Sequence, residues 1–216
     1  MKKKILIVGA SGHARVIVDI VECAGIYEIA GILDKNLPIG SRFQGYEVLG
    51  TDDEGGKFAG KVDGTLIAIG DNAVRARVAE KVGKFLPFVT AVHPAATVAR
   101  GVEIGEGTVV MAGARINPGS VIGRFCILNT SSSLDHDCTL ANYASLAPGV
   151  VTGGNCHVGE FSAVSIGAVV KHGVKIGAET VIGAGAVVLG DIEANTVAYG
   201  CPARIVRKRN HGEKYL

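Results

Sequence analysis

Of the six histidines in the chain, His136 has the setting best suited to moving a proton. It stands between two carboxylates in the run Asn129-Thr130-Ser131-Ser132-Ser133-Leu134-Asp135-His136-Asp137-Cys138. A carboxylate hydrogen-bonded to one imidazole nitrogen orients the ring and raises its basicity, which frees the other nitrogen to accept a proton. Either Asp135 or Asp137 could do this. A surface histidine with incidental acidic neighbours would carry the same letters. A second feature follows at Thr152-Gly153-Gly154-Asn155. Paired glycines let the backbone turn close to a ligand, so that a main-chain N–H can face a developing oxyanion. A merely wider turn would need the same residues.

Both features sit in a strict repeat. From Val98 to Val188 every sixth residue is Val, Ile or Leu, with the one exception of Thr152. Glycine often comes next, as at Gly105, Gly123, Gly159, Gly177 and Gly183. A small residue often stands four places after the aliphatic one, as at Ala114, Cys126, Ala144, Ser162 and Ala186. Neither a helix period of 3.6 nor a strand period of two gives six. A hexapeptide β-helix does, with one inward residue per short strand and a tight turn after it, and the run is long enough for about five triangular coils. In that frame His136, two places after the inward Leu134, falls at a turn or points outward. After Val188 the pattern fades toward Gly200-Cys201-Pro202-Ala203-Arg204, which must cap the open strand edges of the last coil.

Ahead of the repeat the chain reads as an alternating β/α unit. Lys4 to Val8 is an apolar strand, and Gly9-Ala10-Ser11-Gly12-His13 leads into a helix with Val16, Ile17, Ile20, Val21 and Ala24 on one face. Ile29 to Leu33 is a second strand ending at Asp34. Thr65 to Ile69 is a third, closed by Gly70 and followed by a helix over Asn72 to Val82. Strand, glycine loop, helix and then an acid is the order of a nucleotide-binding crevice. The loop departs from G-x-G-x-x-G, with Ser11 and Ala14 at the second and third glycine positions, so a phosphate-bearing ligand smaller than a dinucleotide suits it better. His93-Pro94 punctuates the join. The expected domains are a Rossmann-like α/β unit over 1–92 and an all-β left-handed parallel β-helix over 93–216 with a basic tail.

The bulk properties agree. At 48% apolar residues the 216-residue chain can bury a core, and its 31 glycines and lack of Trp suit turn-rich coils. A net charge of +2 gives no cause to expect nucleic acid, and the basic excess gathers in Arg204, Arg207, Lys208, Arg209 and Lys214. The apolar run after Lys4 stops at Gly9, too short for a signal segment, and nothing approaches a membrane span. There are five cysteines and no C-x-x-C pair; several fall at small-residue positions of the repeat, where a thiol is a compact hydrophobe, and a reducing cytoplasm is expected.

Taken together, Gly9-Ala10-Ser11-Gly12-His13, Leu33-Asp34, Ala68-Ile69-Gly70-Asp71-Asn72, Val92-His93-Pro94, the Asn129–Cys138 run and Gly200-Cys201-Pro202-Ala203-Arg204 carry a resemblance over nearly the whole chain. The protein resembles the bacterial sugar acyltransferases of the left-handed β-helix superfamily, the group that N-acetylates nucleotide-linked amino sugars or O-acetylates sialic acid. The resemblance implies a homotrimer with sites between neighbouring β-helices, acetyl-CoA as co-substrate and no metal. It places Ser11, Gly12, His13, Asp34, Lys35 and Gly70 at the nucleotide-sugar, and Gly154, Ile166 and Ala184 at acetyl-CoA. It puts Ser145 where relatives have a histidine that contacts acetyl-CoA. His136 becomes the general base, with Asp137 or Asp135 as its partner and Asn129 helping to position the acceptor or the base. UDP-4-amino-4,6-dideoxy sugars are the expected acceptors, and sialic acid O-acetylation is the alternative. A zinc lyase like the gamma-type carbonic anhydrases is a further alternative, as is a non-catalytic scaffold. Against zinc, His136, His157 and His172 lack the H-x-x-x-x-H pair of those enzymes.

Overall fold

A computed structural model describes residues 2–215. The first part runs β1 (Lys3–Val8), α1 (Gly12–Ala24), β2 (Tyr27–Leu33), β3 (Arg42–Phe43), β4 (Tyr46–Gly50), a 3-10 segment at Asp52–Phe58, β5 (Gly64–Ile67) and α2 (Asn72–Val82). Its five strands lie in the order β3-β4-β2-β1-β5, parallel except for the β3/β4 hairpin. Helix α1 buries Ala14, Ile17, Val18, Ile20 and Val21 and ends where Gly25 takes a left-handed conformation. The expected stripe included Val16, which instead faces solvent because Ala14 and Val18 complete the inward face. Helix α2 keeps its expected bounds and is capped by the Asp71 carboxylate, which accepts from Val74 N at 2.9 Å.

The remainder is a three-faced prism of two-residue strands, a left-handed parallel β-helix. The first face stacks Ala91–Val92, Val109–Val110, Ile127–Leu128, Ser145–Leu146, Ala163–Val164 and Val181–Ile182. The second stacks Thr97–Val98, Arg115–Ile116, Ser133–Leu134, Val151–Thr152, Val169–Val170 and Val187–Val188, and the third Glu103–Ile104 through Lys175–Ile176. Val98 pairs with Ile116 and Ile116 with Leu134, so residues 18 apart lie one above another. The sixth-residue ladder fills the axis, and Cys126, Cys138 and Cys156 sit buried among it as free thiols. The hairpin Thr196–Gly200/Ala203–Lys208 extends the first face and closes the C-terminal end.

Only the first face is covered. Its outward residues Val109, Ile127 and Ala163 are buried, and Val109 and Ile127 share a core with β1 and α1. The two parts are further joined by Arg75 of α2, whose side chain is 1% exposed. Its Nε donates to Phe125 O (2.9 Å), Nη1 to Ile69 O (3.0 Å) and Gly70 O (2.8 Å), and Nη2 to Asn72 Oδ1 (2.6 Å), Tyr143 O (3.0 Å) and Ser145 Oγ (3.3 Å). Among the described residues no carboxylate forms an ion pair with it, and carbonyl, amide and hydroxyl oxygens take its donors. No described helix is long and apolar enough to cross a membrane. Replacing Arg75 by Ala strands carbonyls on both sides of the seam. We expect a loss of about 3 kcal/mol or more of stability, read as a lowered denaturation midpoint.

Candidate active site

The turn that carries His136 joins the second face to the third. His136 Nδ1 lies 2.8 Å from Asp137 Oδ2, and this contact raises the histidine's pKa above its ordinary value. Asp137 itself takes a left-handed backbone conformation (φ 55°). Its carboxylate lies over Gly119, one coil earlier, where any Cβ would collide with it. Asp135 turns the other way. Its Oδ1 accepts from Asn117 Nδ2 at 2.6 Å, which holds its carboxyl below the usual range, and its backbone carbonyl accepts from Ser120 Oγ. Of the two flanking acids, Asp137 orients the ring and Asp135 braces the turn.

One coil further on, Gly154 lies against the free side of the imidazole. A Cβ there would overlap His136 Nε2. The Gly154 N–H has no acceptor among the described residues, while its carbonyl accepts from Gly173 N. An imidazole nitrogen and an unspent N–H therefore lie side by side on one edge, and acyl transfer needs a base and an oxyanion donor of these kinds. Thr152, the lapse in the ladder, explains how the turn opens. Its Oγ1 accepts from Asp135 N at 3.2 Å, and Ser133–Leu134 pairs with Val151–Thr152 through one residue pair, where the other strand pairs of this face keep two.

The nucleotide-type crevice forms at the carboxyl ends of β1, β2 and β5. It encloses about 620 Å³ open to solvent and is lined by Gly9, Ala10, Ser11, Asp34, Lys35, Asn36, Asp52 and Ile69 among others, a volume that suits a small ligand. Ser11 caps α1 without any side-chain bond, so the first N–H groups of the helix remain available to an anion. Gly9 needs its φ of 108°, and a Cβ there would press on Ala68 O. Asp34 is largely committed to the loop: Oδ1 accepts from Asn36 N (2.8 Å) and Leu37 N (3.1 Å), and Oδ2 from Ala10 N (2.9 Å). One lone pair on Oδ2 is left for a ribose hydroxyl. His13 Nε2 is shut off from solvent without a partner, and burial, reinforced by the Arg75 charge, lowers its pKa to about 4. The Gly70 carbonyl is taken by Arg75 and Tyr215.

The other expected residues lie elsewhere. Asn129, Ile166 and Ala184 fall on the edge between the first and second faces, across the second face from His136 and Gly154. Ser145 is on neither edge. It is buried under the N-terminal part, where its hydroxyl donates to Asn72 Oδ1 and accepts from Arg75. Among the described residues the one His/Cys/acid group close enough to share an ion is Asp19, Cys23 and His93. There His93 Nδ1 already accepts from Ala95 N at 2.9 Å, so the proton sits on Nε2 and the ring offers a metal no free lone pair. His157 points outward on the third face, away from the turn that holds His136. Sequence reasoning missed Arg75 and Asn117, and weighed only as a zinc ligand His172. The last stands two coils after His136, at a centroid distance of 6.0 Å, and the 18-residue period would have found it.

Fold and site together define an acyltransferase of the left-handed β-helix class. Residues 4–82 match the family model of the PglD N-terminal domain. Perosamine N-acetyltransferase from Caulobacter crescentus, solved as a mutant with CoA and GDP-perosamine, is 36% identical at a TM-score of 0.90, covering 95% of this chain and 97% of that one. The acetyltransferase domain of PglB from Neisseria gonorrhoeae FA1090, solved with acetyl coenzyme A, is 32% identical at a TM-score of 0.89 over 95% and 100%. UDP-N-acetylbacillosamine N-acetyltransferase of Bacillus subtilis (strain 168) is 35% identical over 125 residues, 51% of this chain and 52% of that protein. The chain thus spans about half the length of that curated relative. The protein belongs to the hexapeptide-repeat sugar acyltransferase family.

The depressed pKa of His13 sets a pH dependence. The folded protein keeps the ring neutral down to about pH 4, while the unfolded chain protonates it near its ordinary value of 6.5. The unfolded state binds more protons in that window, so stability falls as pH drops from 6.5 to 4, by roughly 3 kcal/mol at most. His13→Asn should flatten this limb of a denaturation-midpoint profile. An unchanged limb would show that His13 is not its source.

Proposed function

We propose that the protein is an acetyl-CoA-dependent N-acetyltransferase acting on the amino group of a nucleotide-linked amino sugar, of the UDP-4-amino-4,6-dideoxy type, in bacterial glycan biosynthesis. The observation that carries this reading is the Asp137–His136–Gly154 constellation, a raised-pKa imidazole opposite an unspent N–H. The names of the relatives support it: one was solved with CoA and GDP-perosamine, one with acetyl coenzyme A, and one is named as a UDP-N-acetylbacillosamine N-acetyltransferase. His136 Nε2 takes a proton from the amine as nitrogen attacks the thioester carbon. Asp137 steadies the imidazolium, and Gly154 N–H receives the oxyanion. The tetrahedral intermediate collapses to the amide and releases CoA as its thiol. The sugar's diphosphate lies at the start of α1 beside Ser11 and Gly12. His13 contacts the ligand as a neutral ring, and Lys35 supplies the positive charge. Ser145 takes no part, because Asn72 and Arg75 already engage its hydroxyl.

A homotrimer completes the site in this reading. In one chain the edge with Asn129, Ile166 and Ala184 lies across a face from the edge with His136 and Gly154, and cyclic packing sets one chain's first edge against its neighbour's second. The uncovered second face carries exposed Val151 and Val169 to bury there. Sedimentation at three times the chain mass is the expected result.

Thiol release from acetyl-CoA, followed against UDP- and GDP-linked amino sugars and free sialic acid, tests the activity. Turnover with an amino sugar is expected, and turnover with sialic acid alone would overturn the reading. His136→Ala should lower kcat by about 10²–10⁴-fold. Asp137→Asn removes the contact that raises the His136 pKa, so the acid limb of the kcat/KM profile should move to lower pH as the plateau falls. Asp135→Asn removes only a nearby charge, not the hydrogen bond, and should move that limb in the same direction by less.

A further inference from the structure

The column of turns that holds His136 continues beyond Gly154. The positions 18 residues apart along this edge are Pro118, His136, Gly154, His172 and Gly190, so imidazole and glycine alternate. His172 is exposed, its ring centroid is 6.0 Å from that of His136, and the two planes are tilted by 50°. The coil between them is Gly153-Gly154. A Cβ on Gly154 would strike the His136 ring, and a Cβ on Gly153 would press on His172 N (2.7 Å) and Cα (2.9 Å). Two missing side chains therefore let the His136 ring and the His172 backbone close in on this coil, which brings the two imidazoles together on one edge. Above His172 the edge is open again, with nothing within 4 Å of the Cβ position at Gly190.

We propose that His172 is a contact for the thioester end of the acyl donor, a role that rests on the acetyl-transfer reading. The argument is one of reach. An amine nitrogen hydrogen-bonded to His136 Nε2 lies about 3 Å from it, and the carbon it attacks about 3 Å further on. With its ring centroid 6.0 Å from that of His136, His172 borders the space those groups must occupy. Gly154 sets the direction in this reading. With the carbonyl oxygen on its N–H and the nucleophile arriving from the His136 side, the sulfur and the pantetheine arm depart toward the next coil, where His172 stands. A ring N–H there can hydrogen-bond the sulfur or the first amide of the arm. No proton or electron beyond those of the acetyl transfer is required.

The test is steady-state kinetics and calorimetric CoA binding on the intact protein. His172→Ala should lower kcat/KM for acetyl-CoA about 10- to 100-fold and weaken CoA binding, while affinity for the nucleotide-sugar stays as in the wild type. His172→Asn keeps an N–H donor on a shorter stem and should recover part of the loss. His136→Ala should show the opposite pattern, with kcat lost and CoA affinity kept. A His172→Ala enzyme with unaltered CoA affinity and unaltered kcat/KM for acetyl-CoA overturns the assignment and leaves the acetyl-transfer reading standing. A wild-type protein that turns over no sugar overturns the activity instead. CoA titration then decides on His172 alone, a weaker fit to the Ala variant supporting the contact and an equal one removing it.

Discussion

Backbone hydrogen bonding from coil to coil is the constraint on which the rest of this molecule depends. Each two-residue strand can satisfy its N–H and C=O groups only through the strands 18 residues before and after it. An insertion of one residue would turn an inward aliphatic side chain outward in every later coil, so the register admits no slip. The same constraint creates function. A turn residue has fixed neighbours at 18 residues on either side, and chemistry can be assembled as a column on one edge. Gly119 makes room for Asp137, Gly154 makes room for His136, and Gly153 makes room for His172.

Arg75 ties this column's prism to the nucleotide crevice. Burying a guanidinium without a counter-ion is unfavourable unless its donors are satisfied, and here each nitrogen has an acceptor. Two of those acceptors are the carbonyls of Ile69 and Gly70 at the end of β5, and two others are carbonyls of prism turns. The crevice floor and the prism are thereby held in one geometry. The residual positive charge also acts at a distance. It adds to burial in keeping His13 neutral, so the loop meets an anion with amides and a neutral imidazole rather than a second fixed cation. Tyr215, from the C-terminal tail, rests on the same Gly70 carbonyl and extends the brace.

The prism was legible to the residue, because a one-dimensional period maps directly onto one inward side chain per strand. Its axis and the turn position of His136 followed from Val98 to Val188, whereas the first strand, Ala91–Val92, and the closing hairpin lie outside that run. The crevice was legible as an order of elements, strand, loop, helix and acid, but the role of Asp34 was not. Its carboxylate organises Ala10, Asn36 and Leu37 before it can meet a ligand, and no local pattern encodes that. The β3/β4 hairpin left little signal, since its two strands bury only Phe43, Val48 and Gly50. The choice between Asp135 and Asp137 depended on backbone conformation: a left-handed turn at Asp137 aims one acid at the imidazole, while Asn117 from the previous coil draws the other away. Arg75 was illegible for a related reason. Its partners are carbonyls, which every sequence supplies at every position.

Thr152 shows how the fold gives ground to the site. A valine there would extend the aliphatic ladder and lose nothing in packing, yet Asp135 N would then lack the hydroxyl that receives it. Thr152 is itself buried at 3% exposure, and a buried hydroxyl is unfavourable unless bonded. It is bonded to the one turn whose strand pairing has been cut from two residue pairs to one. The hydroxyl therefore replaces a ladder contact that the His136 turn has given up. The departure in sequence, the slackened pairing and the exposed imidazole are three views of one local rearrangement. The relaxation falls at the coil where His136 Nε2 lies against Gly154.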